Sequence, residues 1–417
     1  MHFLYNIVIR VSWAALHVVA WFSPKIKLFV HGRKNSWDIL CEQLPKGARP
    51  IWVHAASLGE YEQGVPIIEG LKKNYPDIPI LLTFFSPSGY EVKKKNSVAD
   101  TVCYLPMDTA SFSQRFIREV NPKMALFIKY EIWPNYLKIL KEKQIPTFLI
   151  SAIFKPEQIY FKGYGGLMRK ALDSFQYFYV QDEQSKKLLE SIGKTNVNIS
   201  GDTRLDRVSQ ILEQDNQLDF MDRFCQDKSI FIAGSTWPED ENVLLPWINE
   251  HQQGWKFVIA PHNIKPEAID KIKGQLQKPV MLYSERQQLD PALYEVLILD
   301  TIGILTKVYS YAHLAYVGGG FATGLHNVLE PAVFGIPVLI GPVYVKFKEA
   351  EDLVGLGGVI SVANGAEFNE NANLLISNTE KRKQAGQIAQ EYILSNKGAA
   401  QQILESIDQQ LGPNFFR

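Results

Sequence analysis

The chain has 417 residues, of which 46% are hydrophobic and 21% charged, with Lys+Arg and Asp+Glu both numbering 44. This is the composition of a folded globular protein. Its balanced charge, with no lysine- or arginine-rich helix bearing interleaved aromatics, argues against nucleic acid as a partner. The length exceeds one ordinary core and points to about two or three domains. Cys41, Cys103 and Cys225 lie far apart without a Cys-x-x-Cys pair, which argues against a disulfide framework or zinc site and for a reducing compartment.

No Asp or Glu precedes Asp38. Residues 3–22, FLYNIVIRVSWAALHVVAWF, are mostly apolar, interrupted by Asn6, Arg10 and His17 and followed by Lys25, Lys27, Arg33 and Lys34. A signal peptide has its basic residues first and ends in a small-residue cleavage site. Here the order is reversed, and Trp21-Phe22-Ser23-Pro24 is a poor site. About twenty residues just span a bilayer, but Arg10 near the middle costs ~2.5 kcal/mol or more. The stretch reads as a membrane anchor that lies in the interface or spans marginally, its basic flank holding the rest of the chain on the cytoplasmic side. An amphipathic core helix is the plain alternative.

From Ile51 onward short Val/Ile-rich runs alternate with helical patterns. The first series of strands is expected at 51–54, 80–84, 102–105, 124–128, 147–151, 177–180 and 197–200. Helical patterns lie between them, for example at 62–73, 112–120 and 185–192. A polar stretch, 206–228, leads to a second series at 230–233, 256–260, 280–282, 296–299, 314–317, 338–340 and 359–362. Continuous apolar strands between helices mean parallel sheets covered on both faces. Two series mean two doubly wound domains facing each other, with ligands at the carboxyl ends of the strands and the site in the cleft between the halves. The expected organisation is an anchor and basic flank at 1–34, a first Rossmann-like domain at 35–210 and a linker at 211–228. A second Rossmann-like domain follows at 229–385, then a C-terminal helix at 386–417 that can cross back to the first domain.

The rim loops carry the chemistry. The first strand runs into His54-Ala55-Ala56-Ser57-Leu58-Gly59-Glu60, whose small residues let a ligand approach the backbone. Glu60 stands where a general base of a two-domain transferase would sit, or serves the helix dipole. Lys129-Tyr130-Glu131-Ile132-Trp133-Pro134-Asn135 repeats the geometry after the fourth strand, with Glu131 near Glu60 if the sheet order is sequential there. In the second half Gly234, Ser235 and Thr236 open a helix and can donate to a phosphate, or act as a plain N-cap. Pro261-His262-Asn263 ends the next strand. Val317-Gly318-Gly319-Gly320 leads from a strand through Phe321-Ala322-Thr323-Gly324-Leu325-His326 to an expected helix at 327–334. Such a loop is a candidate anion cradle, and Glu330, a turn into the helix, can accept from ribose hydroxyls. The spacing is neither G-x-G-x-x-G nor a P-loop. A glycine turn with Glu330 as dipole complement is the plain alternative. Lys346, in the loop after the next strand, is a possible counter-charge. No Asp-x-Asp and no G-x-S-x-G occurs.

Taken together, HAASLGE, YEIWPN, GSTWPEDE, GGGFATGLHNVLEPA and GPVYVKFKEA resemble the Kdo transferase family, the membrane-anchored 3-deoxy-D-manno-octulosonic acid transferases of lipopolysaccharide synthesis. The motifs keep their order from the anchor to about Leu356. The resemblance implies a GT-B fold and inverting, metal-independent transfer from CMP-Kdo to a tetra-acylated lipid A precursor. CMP-Kdo is then a co-substrate, and no cofactor is required. It places the enzyme at the inner membrane, with its catalytic domains on the cytoplasmic face. It assigns the catalytic base to Glu60, acceptor contacts to Ser57, Gly59 and Glu131, and the nucleotide motif to Gly319, Gly320, Asn327 and Glu330. Ser235, Thr236, His262 and Lys346 complete the donor set. Two departures stand out. Lys129 and Tyr130 replace the first two members of a usual Glu-Thr-Glu. Pro261-His262-Asn263 replaces a frequent Pro-Arg-His, leaving His262 or Lys346 to stand in for an arginine. A UDP-sugar-dependent GT-B transferase and a nucleotide-sugar epimerase are the alternatives. Competition of CMP against UDP separates the first of these.

Overall fold

The computed structural model describes residues 2–250, 254–322 and 324–416. They form two compact units, 1–207 with 397–417, and 208–396. In the first unit seven strands, β1 (Ile51–Ala55), β2 (Ile80–Phe84), β3 (Thr101–Tyr104), β4 (Met124–Ile128), β5 (Thr147–Ala152), β6 (Tyr177–Val180) and β7 (Val197–Ile199), form one parallel sheet. Its order is β3-β2-β1-β4-β5-β6-β7. Alternate residues of each strand enter different cores: Trp52, Leu81, Ala125 and Phe127 on one face, Ile51, Val53, Leu82 and Leu126 on the other. Both faces are buried, so the strands read as unbroken apolar runs.

The second unit repeats the plan with β8 (Ser229–Thr236), β9 (Trp255–Pro261), β10 (Val280–Leu282), β11 (Val296–Ile298), β12 (Leu314–Val317), β13 (Val338–Ile340) and β14 (Val359–Ser361). Its parallel order is β10-β11-β9-β8-β12-β13-β14. The two expected doubly wound parallel-sheet domains are present. Each sheet reverses direction of growth at its centre, between β1 and β4 and between β8 and β12. Such switch points leave a crevice at the strand carboxyl ends. The order around β1 is therefore not sequential, and it is the reversal that makes Glu60 and Glu131 follow neighbouring strands.

Three boundaries differ from the expectation. Residues 211–228 are not a linker: they belong to the second unit, where Met221 and Phe224 of the helix Asp219–Cys225 are fully buried and the Leu218 N–H donates to the Tyr311 hydroxyl at 2.7 Å. The C-terminal stretch is two helices. Thr379–Asn396 stays with the second unit, whereas Ala399–Leu411 returns to the first, burying Ile403 and Ile407 and accepting the Tyr75 hydroxyl on Asp408 at 2.6 Å. At the N-terminus, α2 (Pro24–Gln43) runs through the expected boundary at 34 and buries Phe29, Val30, Arg33 and Leu40 in the first unit.

Before it, α1 (His2–Val19) is long and apolar enough to cross a membrane, with a mean hydropathy of 1.2. It is also docked on one side. Ile9, Trp13 and Leu16 pack on Ala20, Phe29, Val30 and Met107. The Tyr5 hydroxyl donates to Asp108 at 2.7 Å, and Asn135 donates to Asn6 at 3.0 Å. The other side is bare, with Phe3, Leu4, Val8, Val11 and Val18 all more than half exposed, followed by Trp21 and Phe22 at 84% and 81%.

Candidate active site

In the first unit β1 leads through Ser57 into α3 (Leu58–Asn74), and Glu60 lies in its first turn. One oxygen of its carboxylate accepts the Ala56 N–H at 2.6 Å. Burial, then the negative charge of Glu131, push the Glu60 carboxyl up to about 7, against the pull of the Ala56 and Ser57 amides and of Lys129. A carboxyl poised near neutrality at a strand-end rim is what general-base catalysis requires. Ser57 caps the helix with its backbone alone, since its side chain makes no capping bond. Gly59 has open space where a side chain would begin, so packing does not demand a glycine there.

Glu131 is fixed by residues that sequence reasoning left without a role. His54, fully buried, sits with Nε2 3.1 Å from Glu131 Oε2, and the Trp133 indole N–H reaches the same oxygen at 2.9 Å. On the other side of the ring, Nδ1 lies 2.8 Å from the Thr83 hydroxyl, which accepts the Trp52 indole N–H at 2.8 Å. Taking these shorter contacts, donors run in series from Trp52 through Thr83 and His54 to Glu131, and no group in the chain is left unpaired. The signal for His54 was strand parity: it shares the buried face of Trp52. Lys129, at the end of β4, holds a left-handed φ of 67°, a costly conformation for a lysine.

The second rim departs from the expected anion cradle. Gly318 is glycine because a Cβ would lie 2.3 Å from the Ser235 carbonyl, and Gly320 because one would lie 2.7 Å from the Gly341 backbone. Gly319 holds a φ of 94°, but its N–H is taken: it donates to Asp240 at 2.8 Å. Asp240, fully buried, also accepts the Trp237 N–H at 2.8 Å and the Tyr316 hydroxyl at 2.6 Å. A buried protein carboxylate thus occupies one donor, the Gly319 N–H, that was expected to meet a phosphate. The Thr236 hydroxyl likewise turns inward, donating to Glu241 at 3.2 Å. The helix expected at 327–334 shrinks to Leu329–Ala332, too short for a helix-terminus argument. Pro331 sits inside it and brings no N–H of its own.

Other expected donor-site residues remain at the rim. Ser235, one residue before the end of β8, holds a left-handed φ of 54°. The His262 ring stacks on Trp237, centroids 4.4 Å apart, and lies 4.8 Å from the ring of His326. The Trp237 indole donates to His326 Nε2 at 3.1 Å. An indole N–H can only donate, so the proton of this neutral imidazole is on Nδ1. Burial and the neighbouring His262 both lower the His326 pKa, keeping it neutral. Trp237, Asp240 and His326 stood in the quoted motifs without an assignment; only side-chain contact reveals them. Glu330 accepts from the Thr306 hydroxyl at 2.7 Å and from the Asn327 amide at 3.0 Å. Lys346 is exposed on the loop after β13. Among the described residues no group of three or more His, Cys, Asp and Glu is placed to hold a metal ion.

Residues 31–207 match the family model described as 3-deoxy-D-manno-octulosonic-acid transferase (kdotransferase). The chain is 28% identical over 384 residues to 3-deoxy-D-manno-octulosonic acid transferase of Haemophilus influenzae, covering 87% of this chain and 88% of that one. It is 27% identical to the enzyme of the same name from Chlamydophila psittaci, covering 80% and 81%. Among solved structures it is similar to the UDP-GlcNAc 2-epimerase of Neisseria meningitidis, with a TM-score of 0.64, 17% identity, and coverage of 86% of this chain and 100% of that one. At that identity the likeness is one of fold.

Proposed function

This chain belongs to the Kdo transferase family, and from that premise we propose that it moves Kdo from CMP-Kdo onto a hydroxyl of a lipid A precursor, with inversion and without a metal or further cofactor. Kdo transfer in lipopolysaccharide synthesis is the activity of the family. The observation that carries the residue-level reading is Glu60, whose carboxyl burial and Glu131 bring to about 7. A sugar hydroxyl is too weak an acid to ionise unaided at neutral pH. Glu60 takes its proton as the hydroxyl oxygen bonds to the anomeric carbon of Kdo. The bond from that carbon to the phosphate oxygen of CMP breaks, and CMP leaves with the electron pair. Attack opposite the leaving group in one displacement inverts the centre. Ser57 and Gly59 border the acceptor beside Glu60, and Glu131 holds its place through His54 and Trp133.

Charge grows on the CMP phosphate as the bond breaks, and fixed donors meet it. Of the expected donor set, Ser235, His262, Gly320 and Lys346 keep this role. Gly319 and Thr236 support the loop instead, because their donors are spent within the protein. Asn327 and Glu330 read the ribose. Lys129, where the family pattern has a glutamate, draws the Glu60 pKa down against Glu131.

The enzyme sits on the cytoplasmic face of the inner membrane, with α1 lying in the interface. A helix tied to its own domain through Tyr5, Asn6, Ile9, Trp13 and Leu16 gives up those contacts if it spans. Lying flat, it offers lipid its bare face and lets Arg10 reach the headgroups. The test is to incubate the purified chain with CMP-Kdo and lipid A precursor and weigh the lipid. A gain of one or more Kdo masses supports the proposal. An unchanged lipid, with UDP binding more tightly than CMP, refutes it.

A further inference from the structure

The first unit contains a cavity of about 360 Å³ that the transfer chemistry leaves unused. His2 at the start of α1 forms one wall, with Pro134, Lys138, Lys141 and the acidic Glu142 from the helix Pro134–Glu142, Leu167, Lys170 and Ala171 from the helix Gly166–Leu172, and Ser174 beyond it. Pro134, Leu167 and Ala171 are apolar, and the lysines ring them. Lys138 is paired with Glu142 at 3.7 Å, both more than half exposed, an arrangement that contributes little. Among the described residues Lys141 and Lys170 make no ion pair.

Beside the cavity α1 is pinned. Asp108 accepts the Tyr5 hydroxyl and the N–H groups of Asn135 and Tyr136, and Asn135 bonds to Asn6. The same tie places the cavity beside the bare end of α1, where Phe3 and Leu4 are 79% and 63% exposed. Two uncompensated cations over an apolar hollow, next to an apolar helix face, match an anionic amphiphile. We infer that this cavity binds the phosphate-bearing headgroup of a membrane lipid, the lysines meeting the phosphate and Leu167, Ala171 and Pro134 the first carbons of the chain. A free phosphate has the same charge chemistry but gains nothing from the apolar floor. The inference rests on the reading that α1 lies on the membrane.

The test uses the full chain in neutral detergent, titrated calorimetrically with dihexanoyl phosphatidate, dihexanoyl phosphatidylcholine and inorganic phosphate. Phosphatidate is expected to bind saturably, at least tenfold more tightly than the other two. The exposed double substitution Lys141→Ala/Lys170→Ala should weaken it tenfold or more, and Leu167→Ser should weaken phosphatidate while leaving phosphate unchanged. Inorganic phosphate binding as tightly as phosphatidate, or a double variant that binds like the wild type, overturns the site. Co-sedimentation with pure phosphatidylcholine vesicles tests the membrane reading separately. Vesicle binding without phosphatidate binding removes the cavity alone. Phosphatidate binding without vesicle binding removes the membrane seat and leaves the cavity.

Discussion

At the end of β1 a carboxylate, Glu60, stands at the rim with one short amide bond, held by burial and a like-charged neighbour at the edge of ionisation. At the end of β8 a carboxylate, Asp240, turns inward and takes three donors. The two crevices arise at the same kind of switch point, between β1 and β4 and between β8 and β12. The difference lies in what surrounds each carboxylate: a like-charged neighbour beside Glu60, three protein donors around Asp240. Three donors tie the buried Asp240 into the fold, whereas burial beside another carboxylate raises the Glu60 carboxyl toward the range a general base needs. At the first rim burial and Glu131 outweigh the Ala56 and Ser57 amides and Lys129, which brings the Glu60 carboxyl to about 7. The second rim spends its glycines and a carboxylate on holding the loops, and the proposed donor site rests on His262, Ser235 and Glu330, the last already accepting from Thr306 and Asn327.

The sharpest way to break this contrast is Glu60→Gln. It should lower kcat about 100-fold or more, the range of a general base, while leaving CMP binding unchanged. Retention of more than about a tenth of kcat, against that expectation, rules Glu60 out as the base. The same variant should be more stable than wild type above pH 7. A carboxyl whose folded pKa is raised contributes stability below its unfolded value and loses it as pH rises through about 7. Thermal melts at pH 5 and pH 8 check that sign.

Gly318→Ala tests the claim that the second loop's glycines are spent on packing. Its Cβ meets the Ser235 carbonyl at 2.3 Å, and overpacking against backbone costs roughly 1–3 kcal/mol or more. The variant should melt lower and bind CMP weakly. Gly59→Ala, with open space at its Cβ, should melt no lower, so any loss of turnover there reports a ligand. A Gly318→Ala melt equal to wild type would instead mark that loop as a free cradle.

Glu330→Ala should raise the CMP dissociation constant about tenfold while leaving inorganic phosphate binding alone, because charged hydrogen bonds to ribose hydroxyls are worth ~1.5–3 kcal/mol. Deoxy-CMP should feel the change less than CMP. Equal losses for both nucleotides would make Glu330 only the partner of Thr306 and Asn327.

The smallest effects are shifts of the pH profile. Below about pH 7 Glu60 is protonated, so kcat/KM should fall there. Glu131→Gln removes the charge that raises Glu60 and should move this acid limb to lower pH. Lys129→Met removes the charge that lowers it and should move the limb to higher pH. Shifts of the same sign in both variants contradict the electrostatic account.

All fourteen strands lie where alternation of apolar runs and helical patterns put them, since burial on both faces of a parallel sheet leaves a local imprint. The rim motifs and the exposed apolar helix were legible for the same reason: strand ends, small residues and a mostly apolar run at 3–22 are local facts. What the sequence could not decide is who bonds to whom. That the Gly319 N–H goes to Asp240 depends on an acid 79 residues away, and that Glu131 is held by His54 depends on β1 and β4 being neighbours at a sheet reversal. The docking of α1 likewise needs Asp108 and Asn135, brought to Tyr5 and Asn6 by the folded domain. Hydrogen-bond partners and the desolvation that tunes a carboxyl arise between segments distant in the chain. Composition and periodicity named the groups, and only tertiary contact determined which of them are spent on the fold and which remain for chemistry.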